Sequence, residues 1–110
     1  MSADDTTPNP GIDDETAETL EAVAEARRRL AEVPAAVVVA NHAMGLFELA
    51  AIHLSAEPPR LADASVAIDA LGYVVEGLGD RIGEHHETLV AALGNIRLVF
   101  VERVKGATQA

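Results

Sequence analysis

The longest apolar stretch of this sequence is residues 33–54, which read VPAAVVVANHAMGLFELAAIHL. A helix that is apolar on nearly every side is stable only when other groups surround it. Four polar side chains interrupt the stretch: Asn41, His42, Glu48 and His53. An acidic side chain at the centre of a membrane span costs roughly 2.5–3.5 kcal/mol, and no Trp or Tyr flanks the stretch as an interfacial belt. We therefore expect protein, and not a membrane, to surround it.

The length of this stretch decides between a helix and a strand. Val37, Val38 and Val39 are β-branched and suit a buried strand. A run of about twenty residues bounded by prolines is too long for one strand, however. Pro34 fits the first position of a helix and disfavours a helical conformation in the residue before it. We predict a helix over residues 34–55, separated by a tight turn from the segment that precedes it.

Acidic residues are concentrated at the N-terminal end. The net charge is −10, and residues 1–25 contain eight Asp or Glu and no Lys or Arg. The rest of the chain is therefore close to neutral, which disfavours binding of nucleic acid through its phosphates. Residues 1–12 are predicted to be a disordered acidic tail. Residues 13–32 are predicted to be an acidic N-terminal helix, with three arginines at the end where the helix dipole favours positive charge.

The predicted helix at residues 60–78, with the residues that follow it up to 82, carries the clearest periodicity in the chain. Apolar side chains recur there at alternating spacings of three and four residues, as in the seam of a coiled coil: Leu61, Ala64, Ile68, Leu71, Val75, Leu78 and Ile82. A seam this narrow favours packing against other helices at shallow crossing angles. Gly79 and Gly83 predict a turn after it.

The C-terminal part of the chain predicts one more helix, over residues 84–105. Its apolar face is expected to comprise Leu89, Leu93, Ile96, Phe100 and Val104, widened by Val90 and Val101. Basic residues lie near the C-terminal end of this helix, where the helix dipole favours positive charge. Residues 106–110 are expected to be a frayed tail.

Together these elements predict an all-α protein. A compact helical bundle of three packed helices at residues 33–105 follows the acidic N-terminal helix. The chain has no Trp, one Tyr and two Phe, so the core must be built from Ala, Val, Leu and Ile. Such a core is thin for 110 residues, and association with a second copy, or with another protein partner, is a natural way to bury more surface. The chain has no cysteine and its N-terminus has no apolar signal region, which favours the cytoplasm.

Three motifs recur together in one known family. The first is an Ala-rich run at residues 50–54 that ends in His-Leu shortly before Pro58. The second is Ala-x-x-x-Ile-Asp-x-Leu at residues 64–71, and the third is Leu-x-x-x-Leu-x-x-Ile-Arg-x-x-Phe-Val at residues 89–101. Over residues 36–103 the chain resembles the short bacterial helical proteins known as the domain of unknown function number eighteen forty-four. The resemblance implies an all-helical fold and carries no activity, cofactor or catalytic residue.

No catalytic or metal-binding motif is present in the sequence. His86 and Glu87 begin a zincin pattern, but the position of its second histidine is Val90. His42 and His53 share a helical face, yet they are separated by roughly 16 Å along the axis. We therefore expect no catalytic activity, no cofactor and no bound metal ion.

Two functional hypotheses remain. In the first, the protein is an interaction or self-association module, most simply a homodimer. In the second, it is a ligand- or metal-binding module that uses polar residues of the central apolar helix. The candidate interface or pocket residues are the same in both cases: Asn41, His42, Glu48 and His53. We also predict a structural ion pair between Asp69 and Arg97, because a hairpin of the last two helices brings their regions together.

Overall fold

The computed structural model of the chain, which describes residues 14–109, is all-α, as predicted. Four α-helices form in that range: α1 (Asp14–Glu32), α2 (Ala35–Ser55), α3 (Leu61–Leu78) and α4 (His86–Gln109). A short 3-10 helix, Gly79–Ile82, connects α3 to α4, and no residue between 14 and 109 belongs to a strand. The acidic tail predicted at residues 1–12 lies outside the described residues.

The chain divides into two units, Met1–Pro34 and Ala35–Ala110. In the first unit, α1 buries none of its residues, so local interactions hold it. Glu25 forms ion pairs with Arg28 and with Arg29, the second at 3.4 Å from Nε. Pairs at these spacings stabilise a helix by a few tenths of a kcal/mol each. Asp14 and Glu15 in the first turn also match the helix dipole.

In the second unit, α2, α3 and α4 pack pairwise around one apolar core. The seam predicted on α3 is confirmed. Its central side chains are buried, and the seam side chains at the two ends of α3 are half-buried and pack against the core. α4 contributes Leu89, Leu93 and Ile96 to this core. Val90 and Val101, which were predicted to widen the apolar face of α4, are both exposed. Two neighbouring helices cover only a narrow strip of α4, and these two valines lie beside it.

Two glycines form the connection between α3 and α4, as predicted. Gly79 has a φ of 58° and Gly83 a φ of 92°. Both angles lie in the region that a side chain disfavours and that glycine adopts without a clash. The Gly79 N–H donates to the carbonyl of Val75, and the Gly83 N–H donates to the carbonyl of Asp80 at 3.0 Å. The chain therefore reverses direction without leaving these donors unsatisfied.

The C-terminal helix is longer than its sequence predicts. It begins at His86 and continues to Gln109, so the expected frayed tail after residue 105 is helical up to residue 109. Gly106 disfavours a helix by only about 1 kcal/mol, which does not suffice to end it. The Thr108 hydroxyl lies 3.2 and 3.0 Å from the carbonyl oxygens of Val104 and Lys105, one turn back along the same helix, and shares its one proton between them.

Candidate functional site

One side of α2 faces the core, and it is made mostly of alanine. Ala40, Ala43, Ala50 and Leu54 are buried, and at 100° per residue they fall within about 40° of one direction on the helix. Small side chains let neighbouring helices approach the α2 backbone closely. This explains how a helix with one large buried side chain can still pack closely against both α3 and α4.

The opposite side of α2 is exposed, and we call it the outer face. It comprises Val37, Val38, Asn41, His42, Gly45, Glu48, Leu49 and Ile52, all within about 80° of the direction of Gly45. All are exposed except Val38, which is half-buried, and Ile52 keeps 65% of its surface accessible. A single chain therefore does not surround α2 by itself. The bundle covers one side and leaves an apolar side open.

The polar residues singled out from the sequence do not meet in a pocket. Asn41, His42 and Glu48 all lie on the outer face, while His53 is half-buried at its border. Within residues 14–108, the side chains of Asn41, His42 and Glu48 form no hydrogen bond and no ion pair. Their hydrogen-bonding capacity is directed towards solvent, and it is free for a partner.

Gly45 lies at the midpoint of α2 and at the centre of the outer face. A Cβ atom built there would meet nothing within 4 Å, so no contact in the protomer requires a glycine. Glycine in a helix interior is about 1 kcal/mol less favourable than alanine. No motif in the sequence marks Gly45 as a functional residue. The signal that could have found it is its central place between the polar candidates.

A groove of about 300 Å³ lies between α3 and α4 on the surface of the bundle. Its lining contains Asp69 and Arg97, together with Ser65, Ile68, Phe100 and Val101. The predicted Asp69–Arg97 ion pair is nevertheless wrong. Nη1 of Arg97 lies 3.2 Å from Oε2 of Glu76, and no ion pair of Asp69 occurs among residues 14–108.

The direction of the side chain explains why Arg97 selects Glu76. The guanidinium of Arg97 lies beside Gly72, and on α3 Asp69 is about one turn before Gly72 and Glu76 about one turn after it. Side chains on a helix tilt towards its N-terminus. Because α4 runs antiparallel to α3, the N-terminal direction of α4 leads towards the C-terminal end of α3. Arg97 therefore points to Glu76 and away from Asp69.

Between residues 14 and 109 the histidines and acids do not assemble a metal site. Nε2 of His85 lies 3.8 Å from Oε2 of the adjacent Glu84, and both side chains are exposed. Among residues 14–109 no group of three or more His, Asp or Glu side chains comes close enough to hold an ion. No polar or charged residue is buried in the described part of the chain. The structure therefore has no enclosed polar centre there.

By length and composition, α2 is also the one described helix that could cross a membrane. The core helix of a soluble protein passes the same test, so this property alone does not decide what covers the outer face. Comparison with known proteins found no family model, no curated protein and no solved structure that matches the chain.

Proposed function

We propose that this protein is a cytoplasmic protein–protein interaction module without catalytic activity, and that it self-associates as a homodimer through the outer face of α2. One observation carries the proposal. The most apolar helix of the chain leaves Leu49 and Ile52 exposed around a central glycine. Exposed apolar surface of this kind, on a helix inside a bundle, is typical of an interaction site.

Burial of these side chains supplies a driving force for association. Fully burying a Leu or Ile side chain is worth roughly 1.5–3 kcal/mol, so the exposed fraction of each is worth about 1–2 kcal/mol. In a symmetric dimer each residue contributes twice. Together these side chains contribute about 4–8 kcal/mol, which is one part of the interaction energy that a micromolar homodimer needs, namely about 8 kcal/mol net in addition to the entropy cost of association.

The polar residues of the outer face favour a protein partner over lipid. Glu48 and Asn41 are part of the same surface as Leu49 and Ile52. In a bilayer the charge of Glu48 would have no partner, and its burial would cost several kcal/mol. In a protein interface a carboxylate and an amide can hydrogen-bond across the contact. A membrane is therefore the less favoured occupant.

Sedimentation equilibrium at micromolar concentration tests the proposal. The decisive variant is Ile52→Glu, and Leu98→Glu on α4 is its matched control, because the two side chains are 65% and 67% exposed. Wild type and Leu98→Glu are expected to be dimers and Ile52→Glu a monomer. Far-UV circular dichroism should show the same helicity for all three, because neither position belongs to the core.

Two outcomes contradict this proposal. One is a monomeric wild-type protein at tens of micromolar. The other is co-sedimentation with phosphatidylcholine vesicles that Ile52→Glu abolishes, in a protein that is monomeric without them. The second result would assign the outer face of α2 to lipid.

A further inference from the structure

We propose that the two copies pack their α2 helices antiparallel, with the twofold axis at Gly45. This inference rests on the proposed function, since it specifies the arrangement of the same interface. It follows from the order of residues on the outer face of α2. Apart from Val37 at the border, those residues form three lines along the helix, and each line repeats after seven residues.

The three lines have different chemistry. The central line holds Val38, Gly45 and Ile52. One flank holds Asn41 and Glu48, and the other holds His42 and Leu49. At 100° per residue, the flanks lie about 40–60° on either side of the central line.

Antiparallel packing brings like flanks together. In this dimer the twofold axis is perpendicular to the plane that contains both helix axes. Rotation about it reverses the direction of the helix and leaves each flank on the same side of that plane, so each flank meets its own copy. Residues equally far from Gly45 on opposite sides then lie at the same height, so Val38 meets Ile52 of the partner subunit on the central line. On one flank His42 and Leu49 of the partner subunit, three and four residues from Gly45, are only about 1.5 Å apart along the axis and also meet.

The polar flank is self-complementary in this arrangement. Glu48 lies beside Asn41 of the partner subunit, and its carboxylate accepts a hydrogen bond from that amide. The symmetry forms this pair twice. In a parallel dimer the polar flank would instead lie against the other flank, so Glu48 would face Leu49 of the partner subunit and have no donor. An unpaired polar group in an interface costs about 1–3 kcal/mol, more if it is charged, which favours the antiparallel pair.

Gly45 has a role in the dimer that it lacks in the protomer. At the twofold axis the two glycines face each other, and the missing Cβ atoms let the helices approach closely. α4 also has an exposed glycine, Gly94, with nothing within 4 Å of a built Cβ. On that helix the same symmetry would place Arg97, which is already paired with Glu76, against Val90 of the partner subunit. The outer face of α2 is therefore the better self-complementary surface.

Disulfide cross-linking measures the orientation directly, because the chain has no cysteine of its own. Three single variants are needed: Val38→Cys, Ile52→Cys and Gly45→Cys, with a C-terminal tag on one copy so that mixed dimers can be identified by size. In the antiparallel dimer the two copies of residue 38 are roughly 21 Å apart along the axis. A disulfide needs Cβ atoms about 4 Å apart.

Each orientation gives its own pattern. In the antiparallel dimer a mixture of Val38→Cys and Ile52→Cys forms a mixed disulfide, and Val38→Cys alone forms none. In a parallel dimer the pattern is reversed. Gly45→Cys cross-links with itself in both, so it reports that the outer faces meet.

A swap of the polar pair provides independent evidence. Asn41→Glu places two carboxylates side by side and is expected to weaken dimerisation at least tenfold. Asn41→Glu combined with Glu48→Asn restores the pair with its members exchanged, so the dissociation constant should return to within about threefold of wild type, as double-variant coupling predicts. Gly94→Leu is the neutral control, and Gly45→Leu is expected to disrupt the dimer.

The outcomes separate the two proposals. A dimer with self-linked Val38→Cys, or without rescue by the swap, overturns the antiparallel arrangement and leaves self-association standing. A Gly45→Cys variant that is itself dimeric and does not cross-link overturns α2 as the interface. A protein that never dimerises overturns both.

Discussion

The guanidinium of Arg97 on α4 lies over the backbone of Gly72 on α3, so close that a Cβ atom at residue 72 would be 2.8 Å from Nη2. The same guanidinium donates to Glu76, one turn further along α3, at 3.2 Å. Gly72 is buried, and its missing side chain provides the space that the arginine crosses. This contact between the two helices lies at the rim of the bundle, next to the groove that also contains Asp69.

Gly72→Ala is expected to change the free energy of unfolding by less than about 1 kcal/mol. Alanine favours the helix by up to about 1 kcal/mol, and the group it displaces is the flexible end of an exposed side chain. The lost ion pair is worth no more than about 1 kcal/mol. Urea denaturation measures the difference. Gly72→Leu is the contrasting variant, since a larger side chain overpacks a buried site and costs about 1–3 kcal/mol.

The Arg97–Glu76 pair should show measurable coupling in a double-mutant cycle of Arg97→Gln and Glu76→Gln. The two side chains are 47% and 61% exposed, so the expected coupling is small, about 0.2–1 kcal/mol, and should fall with added salt. A second cycle, of Arg97→Gln and Asp69→Asn, provides the control and should give a smaller coupling energy. A larger coupling for Asp69 than for Glu76 would show that the arginine points the other way in solution.

Leu71→Ala should destabilise the protein by about 2–5 kcal/mol, because this side chain is fully buried where α3 packs in the core, and its removal leaves a cavity. Leu98→Ala is the matched control, since Leu98 is exposed and its loss should change the stability by less than about 0.5 kcal/mol. Thermal unfolding at one protein concentration compares the two. Equal effects would contradict the placement of α3 at the centre of the core.

Gly83→Ala and Gly94→Ala should change stability in opposite directions. Gly83 has a φ of 92° and a ψ of −145°, a conformation that glycine alone adopts readily, and a side chain there costs about 1–3 kcal/mol. Gly94 lies inside α4 with open space around it, so alanine should stabilise the helix by up to about 1 kcal/mol. Chemical denaturation of both variants tests the signs. A stabilising Gly83→Ala would show that the turn between α3 and α4 does not require this conformation.

The residue pattern within each helix was sufficient to predict much of the fold. The alternating spacing on α3 predicted which of its side chains would be buried, because the helical period fixes which residues share a face. The prolines and glycines predicted where the helices are interrupted, because their backbone preferences act within one or two residues. The end of α4 was predicted four residues too early, because a single glycine is a weak signal when helix-favouring contacts continue beyond it.

The candidate site depended more on tertiary structure. The sequence identified Asn41, His42 and Glu48 as residues of interest, but it could not show that they share an exposed face with Leu49 and Ile52. That depends on which side of α2 the other helices cover, and α2 is apolar on nearly all sides. The valines beside the α4 core strip were misassigned for the same reason.

By itself, the sequence determined an all-α protein with an acidic first helix and a narrow apolar seam on α3. Tertiary structure decided that α2 is covered on one side only and that Arg97 pairs with Glu76 and not with Asp69. The physical reason is a difference in range. Helical periodicity is set by neighbours within a few residues, whereas the coverage of a face and the partner of a long side chain depend on the direction and depth at which separate helices meet.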